Sequence, residues 1–257
     1  MRKGKKTPDN MTFLEHLDEL RKRLFYSFIT IIVIAVPAWI FHKEIFHILE
    51  LPVAPFLPEG ETLAYTKLPD PFLTYIKVSI LAAIFVASPI IFFQFWKFVA
   101  PGLYQREKKY AIPFVIFTTF FFAVGGLFAY FIVFPFACRF FLSMGTDFQP
   151  VITINDYFSL ALKVILGIAL IFELPTLVFF LSRMGLITAK WMAKKFKYAI
   201  LVVFIIAAII TPTPDPVTQS IVAVPMLALY GISILIALFS EKRKKQKAKE
   251  AQEDLAV

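Results

Sequence analysis

Long apolar stretches separated by short polar loops dominate the chain. Because an α-helix needs about 20 apolar residues to cross a hydrocarbon core about 30 Å thick, such stretches predict membrane-spanning helices. The predicted fold class is therefore an all-α integral membrane protein, with a single transmembrane domain over residues 1–240. The six candidate spans lie at about residues 24–41, 71–99, 111–138, 157–182, 199–211 and 221–239.

The fifth and sixth apolar stretches are shorter than the others. The strictly apolar part of the fifth, 199–211, covers 13 residues, roughly 20 Å of helix. The loop that follows, TPTPDPVTQ, contains three prolines within five residues and therefore cannot be helical throughout. Two interpretations compete: the pair forms a re-entrant hairpin, or it forms two short spans around which the bilayer thins.

The distribution of basic residues predicts the orientation of the spans. Of the Lys and Arg residues outside the spans, 21 lie on one side if all six stretches cross the membrane, and only Lys43, Lys67 and Arg139 lie on the other. Cytoplasmic loops are enriched in Lys and Arg, so both termini are predicted to be cytoplasmic. The TPTPDPVTQ loop then lies outside and contains no basic residue, which favours two short spans over a hairpin.

Composition supports lipid as the main solvent of this chain. Hydrophobic residues make up 59% of the 257 residues, charged residues only 18%, and the mean hydropathy is +0.74. The net charge of +9 follows from the topology and from attraction to anionic membrane lipid, and it is not taken to indicate nucleic acid. The first 23 residues are polar, so no cleavable signal peptide is predicted. Residues 241–257 form a charged tail that is predicted to be disordered.

Acidic residues at the predicted cytoplasmic face are the first candidates for binding. In TFLEHLDELRKRL, Asp18 and Glu19 precede the first span on a helix that a Thr–x–x–Glu capping box should start. One interpretation pairs them internally, Asp18 with Lys22 and Glu19 with Arg23. The other interpretation is that a carboxylate here remains available to bind a cationic ligand. Glu107, among basic residues after the second span, is either another such carboxylate or a solvated charge.

Two further acidic residues lie at unusual positions. Glu173 falls within the fourth apolar stretch, close to mid-membrane, where an ionised carboxylate is costly. Pro175 follows it and should loosen the helix there. Glu173 either bonds another helix of this chain or contacts a polar group on a partner's membrane helix. Asp215, with Gln219, belongs to the proline-rich outer loop, where ordinary turn chemistry also accounts for an Asp.

No motif indicates catalysis, a metal or a cofactor. His42 and His47 do not share a helical face, and phosphate-binding loops, nucleophile elbows, CxxC and HExxH motifs are missing from the sequence. The chain is therefore predicted not to be an enzyme. A transporter that uses Glu173 as a proton or substrate site is a rival hypothesis, although the sequence has no internal repeat. A scaffold that only gathers partner helices is another.

Four segments in order along the chain resemble the TatC family. They are HLDELRKRL before the first span, FVAPGLYQREKKY after the second, FELP within the fourth and TPTPDPVTQ after the fifth. The resemblance implies a cupped bundle of six helices whose fifth and sixth are short. It also implies a receptor of the twin-arginine translocase in the bacterial inner membrane, which binds Arg–Arg signal peptides and exports folded proteins using the proton-motive force. Implied partners are TatA- and TatB-like single-span subunits and further copies of the chain.

The resemblance also assigns roles to residues at the cytoplasmic face. The family's first-helix glutamate and arginine match Glu19 and Arg21, and its first-loop glutamate matches Glu107. The nearby aromatic and proline match Phe98 and Pro101. These five residues are the predicted signal-peptide site.

Other positions match elsewhere along the chain. The mid-membrane acid matches Glu173, a predicted contact for a partner helix, and the outer-loop residues match Asp215, Gln219 and Pro52. The family's Thr–Pro–Pro–Asp reads Thr–Pro–Thr–Pro–Asp here, so the register around Thr213 departs from the pattern.

Overall fold

The structure is a computed structural model that describes residues 13–56, 62–99, 111–145, 147, 151–211 and 215–253. The described residues are almost entirely helical and include no named β-strand, in agreement with the predicted all-α class. The α-helices are α1 (Phe13–Ile40), α2 (His42–Glu50), α3 (Asp70–Val99), α4 (Ala111–Phe128), α5 (Phe134–Met144), α6 (Ile154–Ile171), α7 (Leu174–Met184), α8 (Ala189–Lys194), α9 (Phe196–Ile210) and α10 (Pro216–Glu253).

Five helical stretches among the described residues are long and apolar enough to cross a membrane. A shorter apolar helix, Phe196–Ile210, corresponds to the predicted fifth span. The five stretches are Leu14–Ile40, Asp70–Val99, Ile112–Met144, Ile154–Ser182 and Pro216–Lys242. The six predicted apolar segments are thus all helical, and the fifth is short, as predicted.

The sixth segment differs from its prediction, because it is not short. It begins at Pro216 instead of about residue 221 and is 27 residues long to Lys242. Proline at the first helical position has no N–H that would be left unpaired, and Asp215 precedes it as a capping residue. The proline that suggested a break therefore starts the helix, and the expectation of a short helix holds for α9 alone.

The charged segment after residue 240 also differs from its prediction. Disorder was expected over 241–257, yet α10 continues without interruption to Glu253. The segment EKRKKQKAKEAQE consists of strong helix formers, and its charges of both signs alternate in places. Once the apolar part of α10 has nucleated the helix, propagation into such residues is favourable.

The described chain divides into two compact units. The first contains Met1–Leu49 and Lys67–Phe120, and the second contains Glu50–Thr66 and Phe121–Val257. In the first unit, α1 and α3 pack antiparallel along their length. Trp39 near the end of α1 meets Phe72 at the start of α3, with ring centroids 5.7 Å apart. At the opposite end His16 of α1 stacks on Phe98 of α3 at 4.4 Å.

The second unit is built around α6, the most buried of its helices. Tyr157, Phe158, Ile165 and Ala169 lie on its inner side and are almost fully buried. Thr153 caps this helix, because its hydroxyl accepts a hydrogen bond from the Asp156 amide at 3.2 Å.

The third apolar segment contains a π-helical turn over Ala129–Val133, between α4 and α5. Pro135 follows it and has no N–H to donate to the carbonyl four residues earlier, which accounts for the irregular turn. The segment then continues to Met144, beyond its predicted end at residue 138.

Candidate sites at the start of the first span and at the break in the fourth

The start of α1 and the end of α3 bring together part of the predicted signal-peptide site. The Glu19 carboxylate forms an ion pair with the Arg23 guanidinium one turn further along α1. A second nitrogen of that guanidinium, Nη1, donates to Oε1 of Gln94 on α3 at 3.2 Å. Glu19 and Arg23 are each 20% exposed, so the pair lies at the edge of the helix interface.

The ion pair with Arg23 confirms, for Glu19, the interpretation that the acids of this helix pair with its own basic residues. The proposed partner pair, Asp18 with Lys22, does not form among the described residues. An i,i+4 pair of this kind stabilises a helix by about 0.3–0.5 kcal/mol. The pair is therefore too weak to exclude another ligand from Glu19.

The remaining members of this predicted site are placed as follows. Phe98 is partly buried and stacks on His16, while Arg21 is exposed. Glu107 and Pro101 lie outside the described residues. The structure thus places Glu19 and Phe98 on adjacent helices of the first unit.

Sequence reasoning missed Gln94 and His16 as neighbours of this site. Gln94 is a polar residue near the end of an apolar span, which was the available signal. His16 could not be assigned, because its contact depends on how α1 packs against α3.

Glu173 lies at a break in the fourth apolar segment. The α-helix stops at Ile171 and resumes at Leu174, with Phe172 and Glu173 in a turn between them. The Glu173 amide bonds the Leu170 carbonyl at 3.1 Å, a tighter spacing than in an α-helix. Pro175 was predicted to loosen the helix at this point, and the break confirms that prediction.

The Glu173 side chain is buried, with 7% of its surface exposed. Neither carboxyl oxygen has a hydrogen-bond partner among the described residues, although the Phe122 backbone lies close by. One turn further along, the Thr176 hydroxyl of α7 is also buried and has no hydrogen-bond partner among the described residues. Leaving such a group unpaired costs about 1–3 kcal/mol.

A glycine allows the close approach that forms this break. A Cβ built on Gly125 of α4 would lie 2.7 Å from Cβ of Phe172 and 2.9 Å from Cα of Ala169. Only a residue without a side chain lets α4 lie this close to the turn that holds Glu173.

Asp215 acts as the N-cap of α10. One carboxylate oxygen accepts from the Thr218 amide at 2.8 Å, and the other accepts from the Thr218 hydroxyl. The Gln219 amide bonds the Asp215 carbonyl at 3.2 Å, and the Gln219 side chain is partly exposed. These hydrogen bonds confirm the interpretation that Asp215 has a local role in ordering the turn before α10. Thr213 and its register lie outside the described residues.

Pro52 lies in the turn that follows α2. The next residue, Val53, is almost fully buried, and its amide bonds the Glu50 carbonyl at 3.0 Å. Further along the same loop, Ala64 pairs with the start of α6 through a bond from the Ile154 amide to the Ala64 carbonyl at 2.7 Å. Among the described residues, no group of three His, Cys, Asp or Glu side chains is arranged to hold a metal ion.

The several long apolar helices define a multi-pass membrane protein. The family model for TatC, the Sec-independent protein translocase protein, matches residues 15–225. The chain belongs to the TatC family. It is a component of the twin-arginine translocase that works with other subunits of that system, and it is not an enzyme.

Relatives and solved structures agree with this assignment. The TatC protein of Koribacter versatilis is 42% identical over 246 residues, which is 95% of this chain and 91% of the relative. That of Aquifex aeolicus is 37% identical over 239 residues, 92% of this chain and 98% of the relative. A crystal structure titled Twin Arginine Translocase Receptor TatC superposes with a TM-score of 0.78 at 38% identity, covering 88% of this chain and all of that one.

Proposed function

We propose that this chain is the signal-peptide receptor of its translocase and reads paired arginines at the cytoplasmic face. Glu19 and Glu107 supply the carboxylates, and Arg21, Phe98 and Pro101 complete the site. A guanidinium presents a planar fork that matches a carboxylate with two parallel hydrogen bonds, which an ammonium cannot copy. Carboxylates therefore suit a ligand that must contain Arg–Arg and not Lys–Lys.

The single observation that carries this proposal is that Glu19 already binds a guanidinium. Arg23 occupies one oxygen of the carboxylate and is itself fixed to α3 through Gln94. Glu19 is thus held in an orientation suited to arginine before any peptide arrives. Displacing an ion pair worth about 0.5 kcal/mol reduces peptide affinity only about twofold, so the internal pair does not prevent binding.

The remaining parts of the proposal concern topology and partners. Both termini lie in the cytoplasm of a cell with this translocase in its inner membrane, because the basic loops and tail fall on that side. The six helices form one transmembrane domain over residues 1–240. The chain assembles with TatA- and TatB-like single-span subunits and with further copies of itself, and the complex exports folded proteins using the proton-motive force.

Glu173 contacts a polar group on a partner's membrane helix in this proposal. Its buried carboxyl has no hydrogen-bond partner among the described residues, and an incoming donor would supply one. Asp215, Gln219 and Pro52 belong to the opposite, outer face, where they order the loops.

The test is binding of a labelled twin-arginine signal peptide to the detergent-purified chain, next to the same peptide with Lys–Lys. We expect Arg–Arg to bind and Lys–Lys to bind at least tenfold more weakly. Glu19→Ala and Glu107→Ala should each remove the difference. Asp18→Ala is the matched control, since it removes an exposed carboxylate one residue away on the same helix and should leave the preference intact. Equal binding of both peptides to the unmodified chain would contradict the proposal and favour a scaffold role.

A further inference from the structure

The bend between α8 and α9 presents basic and aromatic side chains together. We call it the α8–α9 elbow and define it as Lys190, Trp191, Lys194, Lys195, Lys197 and Tyr198. All six side chains are exposed. The two aromatic residues expose about half of their surface, Trp191 54% and Tyr198 51%. Trp and Tyr with this exposure beside lysines are typical of the boundary between hydrocarbon and headgroups.

Two lysines of the elbow converge on one aromatic ring. The ammonium groups of Lys195 and Lys197 each lie 5.0 Å from the centroid of the Tyr198 ring. Neither lysine forms an ion pair among the described residues. Glu241 of α10 lies at the start of α8, where its carboxylate accepts a hydrogen bond from the Ala189 amide at 2.7 Å. Both ammonium groups carry a positive charge, so an anion bound beside them is attracted by each.

The elbow is fixed to the rest of the second unit. Met192, on the opposite side of α8, is 2% exposed, and its carbonyl accepts a hydrogen bond from the Tyr230 hydroxyl of α10 at 3.1 Å. Thr188 caps α8 through the Trp191 amide at 3.2 Å. The Lys195 amide bonds the Trp191 carbonyl at 3.0 Å, which closes the bend. The lysines are therefore presented on a preformed turn, and little ordering is needed on binding.

The shortness of α9 brings the elbow to the depth of the headgroups. Its 15 residues span about 22 Å at 1.5 Å per residue, less than a hydrocarbon core of about 30 Å. Its outer side exposes apolar residues to lipid along its length, including Leu201, Val202, Ile205 and Ile209. A span shorter than the hydrocarbon core is accommodated by local thinning of the bilayer or by flanking side chains that reach to the headgroups. The phosphates of the adjacent leaflet then approach the elbow.

We propose that the α8–α9 elbow binds the phosphate of an anionic phospholipid. Lys195 and Lys197 bracket the phosphate, Tyr198 and Trp191 lie at the glycerol level, and the acyl chains follow the exposed side of α9. Each lysine near an anionic surface contributes about fivefold to affinity, so the pair contributes about 25-fold. The bound lipid holds the thinned leaflet in place beside α9.

Native mass spectrometry of the delipidated full chain in detergent tests this proposal. Phosphatidylglycerol and phosphatidylcholine with identical acyl chains are titrated separately, and bound lipid is counted. We expect a preference for phosphatidylglycerol in the unmodified chain. The double variant Lys195→Gln/Lys197→Gln should lose about 25-fold in phosphatidylglycerol affinity and bind phosphatidylcholine as before. Lys43→Gln/Lys67→Gln removes the same charge from two other exposed lysines and should retain the preference.

A second variant separates charge from folding. Lys195→Arg/Lys197→Arg keeps both cations and should retain phosphatidylglycerol binding, and all variants should show the same thermal midpoint within about 2 °C. The proposal is overturned if the Gln pair leaves the preference unchanged, if the control pair lowers it equally, or if the Arg pair also loses it. It is overturned in favour of an acidic protein segment if a Glu-rich peptide binds the unmodified chain more tightly than the lipid and the Gln pair abolishes that binding.

Discussion

Replacing Gly125 by alanine is the sharpest test of the packing around the helix break. The new Cβ would lie 2.7 and 2.8 Å from Cβ and Cγ of Phe172, and 2.9 Å from Cα of Ala169. Carbon atoms in good contact are about 3.5–4.0 Å apart. Relief therefore requires α4 to move away by roughly 0.7 Å, since the Ala169 atom belongs to the backbone and Cβ of Phe172 is attached directly to it.

The size of the effect can be worked out from this geometry. Overpacking typically costs about 1–3 kcal/mol, and we take the upper end because three contacts are too short and none involves the end of a flexible side chain. The better helix propensity of alanine returns about 1 kcal/mol. The net loss is about 2 kcal/mol, which lowers the midpoint of thermal unfolding of a chain this size by about 4–8 °C.

Two other glycines provide matched comparisons. A Cβ on Gly231 of α10 meets nothing within 4 Å, so Gly231→Ala should raise the midpoint by about 2–4 °C through helix propensity alone. A Cβ on Gly167 would lie 2.9 Å from Cδ1 of Ile210, the movable end of a side chain, so Gly167→Ala should fall between the other two.

Circular dichroism at 222 nm during heating, in one detergent, measures all three variants. The expected order of midpoints is Gly231→Ala above Gly167→Ala above Gly125→Ala. If Gly125→Ala melts within about 1 °C of Gly231→Ala, the close approach of α4 to the turn at Phe172 is wrong. The burial of Glu173 behind that turn would then have to be reconsidered as well.

Two further predictions concern acidic residues of the second unit. Asp215→Ala should lower the thermal midpoint by about 2–4 °C, since a lost N-cap costs about 1 kcal/mol. Asp215→Asn keeps an N-cap acceptor, so its midpoint should stay within about 1 °C of the unmodified chain, while export should still be impaired. Equal midpoints for the two variants would contradict the capping role. Glu173→Leu should raise the free energy of unfolding of the isolated chain by about 1–3 kcal/mol, because it removes two buried carboxyl oxygens without a described partner. The same variant should weaken co-purification of single-span subunits. A lower thermal midpoint would show that the Glu173 carboxyl has a partner within the chain.

Much of the fold could be predicted from the sequence because the bilayer imposes a simple length rule. Apolar stretches of about 20 residues gave the positions of the long spans, and the 15-residue α9 was recognised as short. The break at Glu173 was also predictable, because Pro175 cannot complete the helical hydrogen bonds. These features depend on residues that are close together along the chain.

The incorrect predictions arose where a residue type is compatible with two different local structures. Pro216 was treated as part of a non-helical loop, but proline is equally suited to the first position of a helix, and α10 begins there. The charge density of residues 241–253 suggested disorder, although the same residue types favour a helix that has already been nucleated.

The candidate site at the start of α1 was predicted only in part. The sequence pointed to Glu19 and offered Arg23 as its partner, since these residues are one helical turn apart. It could not identify Gln94, which is 71 positions away from Arg23 and reaches it only because α1 and α3 pack antiparallel. Contacts of this kind depend on helix packing, which the periodicity of a single apolar span does not specify.

The length of α10 has a consequence for work with this protein. Its 38 residues extend about 57 Å, and a hydrocarbon core takes up about 30 Å of that. Its apolar span ends at Lys242, so the 11 residues 243–253, about 16 Å of helix, remain as a rigid spacer beyond it. A fluorescent reporter joined after this spacer would stand clear of the lipid surface. Its distance from a dye in the headgroups, measured by energy transfer, would then change if the spacer bends or melts during transport.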